Sequence, residues 1–323
     1  MRAILFDGKD MEFLTDYPIP VPEVNEALIR VRLAGICNTD LEIIKGYQGY
    51  TGVLGHEFVG VVEKVNGAAQ HLVGKRVVGE INCGCGTCDS CRAGLGRHCP
   101  SRLTLGIRGK DGAFAEYLTL PVNNLFHVPE NIRDEEAVFT EPLAAALEIL
   151  DQVHIRPTDE VLVMGDGKLG ILIALTLSLS RAHLLLAGKH REKLRVANDQ
   201  GVATAGVTDM KAHKSYDIVV EATGSPDGLS MALRHVKPRG TVVLKSTVAA
   251  GAEINLAPAV IDEVHLIGSR CGPFEPSLRV LSGKLIQVEP LISGIFGFPG
   301  AGDAFDMARR KDSLKVLLDF MRL

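Results

Sequence analysis

Alternating apolar and polar positions dominate the first third of the chain. Ala27–Leu33 alternates with a period of two, and Phe58–Val65, Lys75–Val78 and Ala113–Leu120 are short runs rich in apolar and β-branched residues. Period-two alternation predicts half-buried β-strands. We therefore expect residues up to about 125 to form a β-rich lobe with long loops.

The pattern becomes helical near Arg133. Glu135–Val153 has an apolar face of helical period, and Pro142 stands where a first helical turn tolerates proline. Leu169–Ser180 is apolar on nearly all sides, which predicts a buried helix.

From residue 159 onward, short apolar strands alternate with helices. This order predicts a parallel sheet covered on both faces. A last helix around Gly302–Arg310 and an apolar strand at Leu314–Phe320 close the chain. The predicted strands of the parallel sheet are Glu160–Met164, His183–Ala187, one within Gly201–Val207, Asp217–Glu221, Thr241–Lys245 and Val264–Gly268.

Length and composition limit the class of protein. The 323 residues allow roughly two domains, and 46% apolar with 23% charged residues is typical of a globular chain. A net charge of −4 gives no support for nucleic acid or an anionic membrane as a partner. We find no signal peptide and no apolar run long enough to span a membrane, so we expect a cytoplasmic protein.

Four cysteines have the spacing of a metal site. Cys85, Cys88 and Cys91 form two consecutive C-x2-C steps, and Cys99 follows. Four thiolates with no open position predict a structural zinc site, with an iron–sulfur cluster as the chemical rival. Cys83 lies just outside the motif and is interpreted as a spare thiol.

A second candidate metal set is spread along the chain. Cys37, His56, Glu57 and Glu141 offer sulfur, nitrogen and oxygen ligands. Three protein ligands and a water leave a position open for substrate, which is the arrangement of catalytic zinc.

A glycine-rich turn joins a predicted strand to the predicted buried helix. The turn reads Gly165-Asp-Gly167-Lys168-Leu169-Gly170, which is G-x-G-x-x-G in the context that dinucleotide binding requires. The glycines permit a tight turn and close packing, and the helix N-terminus faces the pyrophosphate.

The end of the next strand bears on the choice of nucleotide. Enzymes that use NAD usually carry an acid there for the ribose 2′-hydroxyl. Here Gly188 stands at that position, followed by Lys189, His190 and Arg191. A missing carboxylate and nearby cations favour a 2′-phosphate, so we expect NADP(H) over NAD(H). The alternative is that Lys189 and Arg191 are only the solvated start of a helix.

These pieces, in this order, resemble the zinc-containing medium-chain dehydrogenase/reductase superfamily over essentially the whole chain. The motifs are most similar to those of the polyol, threonine and glucose dehydrogenase branches. The motifs that carry the resemblance are Gly35-Ile-Cys37-x-Thr39-Asp40, Gly55-His56-Glu57-x-x-Gly60, the four-cysteine segment, Asp111-Gly-Ala-Phe-Ala-Glu-Tyr117, Thr140-Glu141-Pro142 and the Gly165 turn.

The resemblance implies an α/β protein with two domains. Residues 1–143 and 270–323 would form a GroES-like β-rich catalytic domain, with a structural-zinc lobe at 83–100. Residues 144–269 would form an inserted Rossmann domain with a six-stranded parallel sheet. It also implies a homodimer or homotetramer.

The resemblance further implies roles for individual residues. Cys37 and His56 would bind catalytic zinc, with Glu141 as third ligand or near it through water, and Glu57 beside the metal or exchanging with it. Thr39 would take the substrate proton, and Glu42 stands where many relatives end the proton relay with histidine. Further cofactor contacts are implied at Thr223, Ser269 and Arg270.

We therefore expect an oxidoreductase with two zinc ions per chain. It would transfer hydride between an alcohol, such as a sugar or polyol, or its carbonyl, and a nicotinamide cofactor. Two alternatives stay open: a zinc-independent enone or quinone reductase of the same superfamily, and a catalytically silent nucleotide-binding protein.

Overall fold

The computed structural model describes residues 1–210, 213–247 and 253–322. The chain divides into two compact units, one formed by Met1–Glu141 with Ile292–Leu323 and the other by Pro142–Leu291. The sequence analysis expected the second boundary after residue 269, whereas this division places residues 270–291 with the second unit.

The helices and strands are numbered along the chain. The strands are β1 (Ala3–Phe6), β2 (Met11–Leu14), β3 (Glu26–Ile36), β4 (Gly52–Val53), β5 (Glu57–Asn66), β6 (Arg76–Gly79), β7 (Asn82–Cys83), β8 (Leu103–Leu105), β9 (Gly109–Lys110), β10 (Tyr117–Pro121), β11 (Leu125–His127), β12 (Glu160–Met164), β13 (His183–Gly188), β14 (Ala203–Gly206), β15 (Tyr216–Glu221), β16 (Val236–Leu244), β17 (His265–Gly268), β18 (Ile292–Gly297) and β19 (Lys315–Asp319). The helices are α1 (Asn38–Ile44), α2 (Asp89–Arg92), α3 (Asp134–Ala137), α4 (Thr140–Gln152), α5 (Lys168–Ser178), α6 (Arg191–Asn198), α7 (Gly228–Leu233), α8 (Ala257–Ile261), α9 (Phe274–Ser282) and α10 (Ala301–Arg309).

The first unit is built on a seven-stranded sheet of order β11-β6-β5-β3-β19-β18, with β10 also paired to β3. The alternation noted in β3 buries Ala27, Ile29 and Val31 in a core that β5, β10 and β19 also line. The last strand, β19, pairs antiparallel with β3, so segments from before and after the second unit share one sheet. Small sheets β2-β1-β4 and β7-β8-β9 complete this unit.

Two predicted elements have other bounds in the structure. The strand expected at Ala113–Leu120 is β10, which begins only at Tyr117. The preceding apolar residues are buried for another reason: the N–H groups of Ala113 and Phe114 donate to the carbonyls of Gly55 and Leu54 in the core. Their hydrophobicity reflects packing rather than a strand.

The helix predicted at Glu135–Val153 is two helices. A single turn, α3, ends at Ala137, and α4 begins at Thr140, whose hydroxyl donates to the carbonyl of Ala137 at 2.7 Å. Pro142 lies in the first turn of α4 as predicted, where its missing N–H leaves no bond unmade.

The second unit contains a six-stranded parallel sheet of order β14-β13-β12-β15-β16-β17. Val161, Leu162 and Val163 of the central strand β12 are fully buried, as a sheet covered on both faces requires. The helix α5 is buried along most of its length. The predicted fold class, a GroES-like β-rich domain with an inserted Rossmann domain, is confirmed.

Among the described residues, no helix is both long enough and apolar enough to cross a membrane.

Candidate active site

The four-cysteine segment folds into a compact sulfur cluster. The Sγ atoms of Cys85, Cys88, Cys91 and Cys99 all lie within 4.8 Å of one another, and those of Cys88 and Cys99 are 3.8 Å apart. A tetrahedral zinc with Zn–S bonds of about 2.3 Å requires sulfurs about 3.8 Å apart. The cluster therefore has the dimensions that a zinc ion needs.

The same cysteines are unsuited to a disulfide role. All seven cysteines of the chain are free, and a sulfur separation of 3.8 Å is far longer than a disulfide bond of about 2.05 Å. Hydrogen bonds from Thr87 lower the pKa of Cys85 to about 6, which favours the thiolate that binds metal. Cys83 is buried in the core of the first unit, outside the cluster.

A second group of ligand atoms lies where α1 begins and where β5 begins. Cys37 immediately precedes α1, His56 immediately precedes β5, and Glu57 is its first residue. One ligand atom from each of these three residues lies within 4.8 Å of the others. His56 is 3% exposed and Glu57 is 1% exposed. The structure thus gathers sulfur, nitrogen and oxygen donors from segments far apart in the sequence.

The Asp40 carboxylate contacts two members of this group, Cys37 and His56. One carboxylate oxygen accepts the N–H of Cys37 at 2.8 Å, and the other lies 3.2 Å from Nδ1 of His56. Asp40 is completely buried. Burial opposes protonation of His56, but the charges of Asp40 and Cys37 outweigh it and raise the pKa of His56 above its ordinary value. A carboxylate on the second nitrogen orients a metal-bound histidine and increases its basicity.

Glu57 is held by a buried cation. Its Oε2 pairs with Nζ of Lys315, and both side chains are 1% exposed. Burial favours neutral Lys315, but the neighbouring charge of Glu57 outweighs it and raises the pKa of Lys315. Gly35 faces Glu57 in the β3–β5 register, and a Cβ there would lie 2.5 Å from Oε2. The pair therefore depends on a glycine on the neighbouring strand.

The second carboxylate oxygen of Glu57 has the surroundings of a metal ligand. Among the described residues, the buried Oε1 has no hydrogen-bond partner. A buried carboxylate oxygen without a partner is costly unless something binds it. Together with Cys37 and His56, the Glu57 carboxylate fits a zinc ion.

Glu141 lies in the same region but outside the three-residue group. It is the second residue of α4. Burial raises the pKa of Glu141 to about 7, the charges of Glu57 and Glu80 add to this, and His56 opposes it. The structure brings Glu57 to Cys37 and His56, and places Glu141 within electrostatic reach of them.

The two residues of the implied proton path lie on α1. Oγ1 of Thr39 is 3.7 Å from Sγ of Cys37, and Thr39 is half-buried. The Glu42 carboxylate is 30% exposed and accepts from Nζ of Lys45 at 2.9 Å. Residues three apart share a helix face, so Thr39 and Glu42 lie on the same side of α1.

The glycine-rich turn joins β12 to α5 in the second unit. Gly165 has a φ of +120°, and a Cβ there would lie 2.4 Å from the carbonyl oxygen of Ala222. A Cβ at Gly170 would lie 1.9 Å from the carbonyl oxygen of Gly165. Gly167 directly precedes α5, with nothing within 4 Å of its Cβ position. Lys168 and Leu169 form the first turn of α5, so the turn fits a dinucleotide pyrophosphate.

The expectation that Gly188 leaves the end of β13 without negative charge is wrong. The carboxylate of Asp166 fills this space, and Oδ2 accepts the N–H groups of Lys189 at 2.6 Å and His190 at 2.5 Å. The side chains of Lys189 and Arg191 are exposed, and in the described part of the chain neither has an ion-pair partner. One carboxylate and two available cations therefore surround this strand end.

Three further predicted cofactor positions, Thr223, Ser269 and Arg270, follow the ends of β15 and β17. The Thr223 hydroxyl donates to the buried carboxylate of Glu221 at 2.6 Å. Nζ of Lys245 lies 3.2 Å from the Ser269 hydroxyl and donates to the carbonyl of Arg270 at 2.9 Å. Sequence reasoning did not foresee that Lys245 is 8% exposed and fixes this segment.

Comparisons with known proteins agree with this geometry. The family model for the alcohol dehydrogenase GroES-like domain matches residues 23–130, and that for zinc-binding dehydrogenase matches residues 173–282. The chain is 31% identical over 345 residues to L-threonine 3-dehydrogenase of Chelativorans sp. strain BNC1, covering 99% of each chain.

Two solved structures share the fold over nearly their whole length. A short chain alcohol dehydrogenase (rspB) of Escherichia coli CFT073, solved with NADH, is 29% identical with a TM-score of 0.91 and 99% of each chain covered. A zinc-binding dehydrogenase of Sinorhizobium meliloti 1021, solved with NADP, is 26% identical with a TM-score of 0.89 and 98% of each chain covered.

The chain therefore belongs to the zinc-containing medium-chain dehydrogenase/reductase superfamily of alcohol dehydrogenase-like oxidoreductases. The prediction of a zinc-dependent, NAD(P)-dependent enzyme of this class is confirmed.

Proposed function

We propose that the protein interconverts an alcohol and its carbonyl compound by hydride exchange with a nicotinamide cofactor, in a reaction that depends on zinc. The observation that carries this proposal is the convergence of Cys37, His56 and Glu57 within 4.8 Å, with one buried glutamate oxygen left unpartnered. Three mixed ligands leave an open position for a substrate oxygen.

Two zinc ions per chain are proposed. Cys85, Cys88, Cys91 and Cys99 would hold a closed structural ion, and Cys37, His56 and Glu57 would hold the catalytic one. Glu141 would be the alternative third ligand, and Lys315, which already pairs with Oε2 of Glu57, would neutralise that carboxylate when it does not bind the ion. Zinc, when bound, supplies Lewis acidity to the substrate oxygen, and the nicotinamide supplies the hydride acceptor or donor.

The residues of α1 would carry the proton. Thr39 lies 3.7 Å from the Cys37 sulfur, so its hydroxyl would accept the proton of an alcohol held at the open position. Glu42, on the same helix face and 30% exposed, would pass it to water. Nζ of Lys45, which donates to the Glu42 carboxylate at 2.9 Å, would hold it in place.

NADP(H) is proposed as the preferred cofactor. The support is the pair of exposed cations, Lys189 and Arg191, beside Gly188. Two cations outnumber the one carboxylate of Asp166, which itself lies 3.1 Å from Nδ1 of His190. Gly165, Gly167 and Gly170 would cradle the pyrophosphate, and Thr223, Ser269 and Arg270 would lie toward the nicotinamide end.

The proposed substrates are small sugars, polyols, amino alcohols and their carbonyl counterparts. The support is the likeness to an L-threonine 3-dehydrogenase over 99% of both chains. A cytoplasmic location is proposed as well, because none of the seven cysteines forms a disulfide.

A homodimer or a homotetramer built from it is proposed, with a second copy of this chain seated on β17. In the described part of the chain β17 is an edge strand of the parallel sheet. Val260 is 76% exposed, Ile261 is 78% exposed and Leu266 is 39% exposed, in and beside this strand. An exposed edge with large apolar side chains favours pairing with another chain.

Metal analysis and a substrate panel test the proposal. The purified protein should contain about two zinc ions per chain. Cys37→Ala should lose about one of them and reduce kcat/KM on alcohols by on the order of 1,000-fold. Cys83→Ala, which changes a buried thiol outside both clusters, is the matched control. Unchanged turnover in Cys37→Ala would exclude the zinc mechanism, and turnover of enones alone would favour a zinc-independent reductase.

A further inference from the structure

The end of β13 carries a carboxylate that its own sequence does not supply. A Cβ built at Gly188 would lie 2.4 Å from Cβ and 2.6 Å from Oδ2 of Asp166. Asp166 belongs to the glycine-rich turn after β12, the strand that pairs parallel with β13. The side chain of one turn therefore occupies the place that a side chain at 188 would take.

This carboxylate is built into the turn that follows β13. Oδ2 accepts two backbone N–H groups, from Lys189 at 2.6 Å and from His190 at 2.5 Å. Nδ1 of His190 lies 3.1 Å from Oδ2 and 3.2 Å from Oδ1. The Asp166 side chain is 11% exposed. Several hydrogen-bond partners therefore hold the Asp166 carboxylate in this position.

The end of β13 is the position at which a Rossmann fold contacts the adenosine ribose. An acid at the end of the second strand accepts hydrogen bonds from the adenosine ribose and repels a 2′-phosphate. A carboxylate delivered from the neighbouring turn presents the same charge at the same strand end. Lys189 and Arg191, both exposed, present the opposite charge one and three residues further on.

We propose that Asp166 is a specificity-determining residue for the nucleotide, because it supplies from the glycine-rich turn the carboxylate that β13 lacks. Asp166 favours the 2′-hydroxyl of NAD(H), whereas Lys189 and Arg191 favour the 2′-phosphate of NADP(H). The balance of these three side chains sets the ratio of the two affinities. This inference rests on the nucleotide binding proposed above.

Asp166→Asn tests it with a minimal change. The amide oxygen can still accept a backbone N–H from the turn, while the negative charge is removed. NADPH and NADH are titrated separately by their fluorescence in the absence of substrate. We expect the ratio of the NADH Kd to the NADPH Kd to increase by about tenfold over the parent protein. Asp199→Asn, which removes a carboxylate just after α6, is the control and should leave the ratio unchanged.

A second variant moves the carboxylate instead of removing it. Asp166→Gly combined with Gly188→Asp clears the space and returns the acid to the strand end. We expect its ratio of the NADH Kd to the NADPH Kd to be no higher than that of the parent protein, and about tenfold lower than that of Asp166→Asn. A merely structural role of Asp166 does not predict that relocation restores the ratio.

The outcomes separate the two proposals. If both nucleotides bind the parent protein and the ratio in Asp166→Asn is unchanged or moves toward NADH, Asp166 only shapes the turn and the inference is wrong. If a folded parent protein binds neither nucleotide, the proposed function fails and this inference fails with it. Folding of each variant is verified by its thermal unfolding.

Discussion

Oδ1 of Asp40 lies 3.2 Å from Nδ1 of His56. The Asp40 carboxylate thereby connects His56 with Cys37, two predicted zinc ligands that are far apart along the chain. The other oxygen of Asp40 accepts the N–H of Cys37 at 2.8 Å, and Gly55 also donates to this carboxylate at 3.3 Å. One buried side chain therefore fixes the start of α1 and the approach to β5. The geometry of this candidate metal site depends on Asp40 as well as on Cys37 and His56.

Asp40→Asn should weaken metal binding at this site selectively. Loss of an outer carboxylate partner of a ligating histidine costs about 10–100-fold in metal affinity. We expect the Cys37 site to release zinc to a competing chelator while the four-cysteine site keeps its ion. Zinc content after dialysis against graded chelator measures this. Asp111→Asn is a matched control, because Asp111 also accepts a backbone N–H, from Val53 at 3.0 Å. Equal zinc retention in both variants would contradict the assigned role.

The parallel sheet was predictable because the short apolar runs predict strands and their alternation with helices predicts parallel pairing. Strand β12 has the predicted bounds, and β13 and β15 differ from prediction by one residue, since each is a short apolar run between a turn and a helix. The strands β1 and β2 were not predicted. They are short, and the mixed pattern of β2 places Glu12 and Phe13 both in exposed positions.

Residue type and spacing pointed to the candidate ligands that the structure brings together, but not to the residues that hold them in place. Lys315 gave a weak signal, as the only charge at the start of an apolar strand. Asp40 belongs to the motif around Cys37, but the motif alone assigns it no role. Asp166 occupies a position that the glycine motif leaves variable. Each of these acts through contacts between segments distant in sequence, which periodicity and spacing do not encode.

Cys99→Ser should remove the structural zinc. Cys99 is fully buried and completes the sulfur cluster, so a hydroxyl there leaves three thiolates for the ion. We expect zinc content to fall by about one ion per chain, with a lower unfolding temperature. Cys83→Ser changes a buried thiol outside the cluster and should keep the full metal content. A Cys99→Ser protein with undiminished zinc would show that the four cysteines do not form the site.

Lys315→Met should destabilise the first unit strongly. It leaves the Glu57 carboxylate buried without its cation, and breaking a buried pair from one side costs about 3–5 kcal/mol. Combining it with Glu57→Gln should recover much of this free energy of unfolding, because neither charge then remains. Urea denaturation of the metal-free proteins measures the effect. A double variant no more stable than Lys315→Met would mean that the ion pair is not the source of the loss.

Glu116 should make stability depend on pH in the acid range. Burial alone would raise its pKa, but hydrogen bonds and charge from Arg2 outweigh it and lower the pKa below the ordinary value of 4.5. Because the folded pKa is the lower one, the stabilisation is present above pH 4.5 and is lost as pH falls through the folded pKa. Glu116→Gln should lower the unfolding temperature at neutral pH. The difference in unfolding temperature between this variant and the parent protein should become smaller as the pH falls. A difference that stays constant with pH would argue against this linkage.

Gly188 and Asp166 should be coupled in stability as well as in nucleotide choice. Gly188→Ala places a Cβ 2.4 Å from Cβ of Asp166, and such overpacking costs about 1–3 kcal/mol. Asp166→Gly removes the opposing Cβ, so the double variant should be more stable than the sum of the two single changes predicts. The coupling free energy, from a double-mutant cycle in urea, should be about 1 kcal/mol or more. Gly201→Ala, at a glycine with nothing within 4 Å of its Cβ position, should show no such coupling with Asp166→Gly. Additive costs at Gly188 and Asp166 would mean that the turn relaxes away from β13, and the carboxylate would then not be held at the strand end.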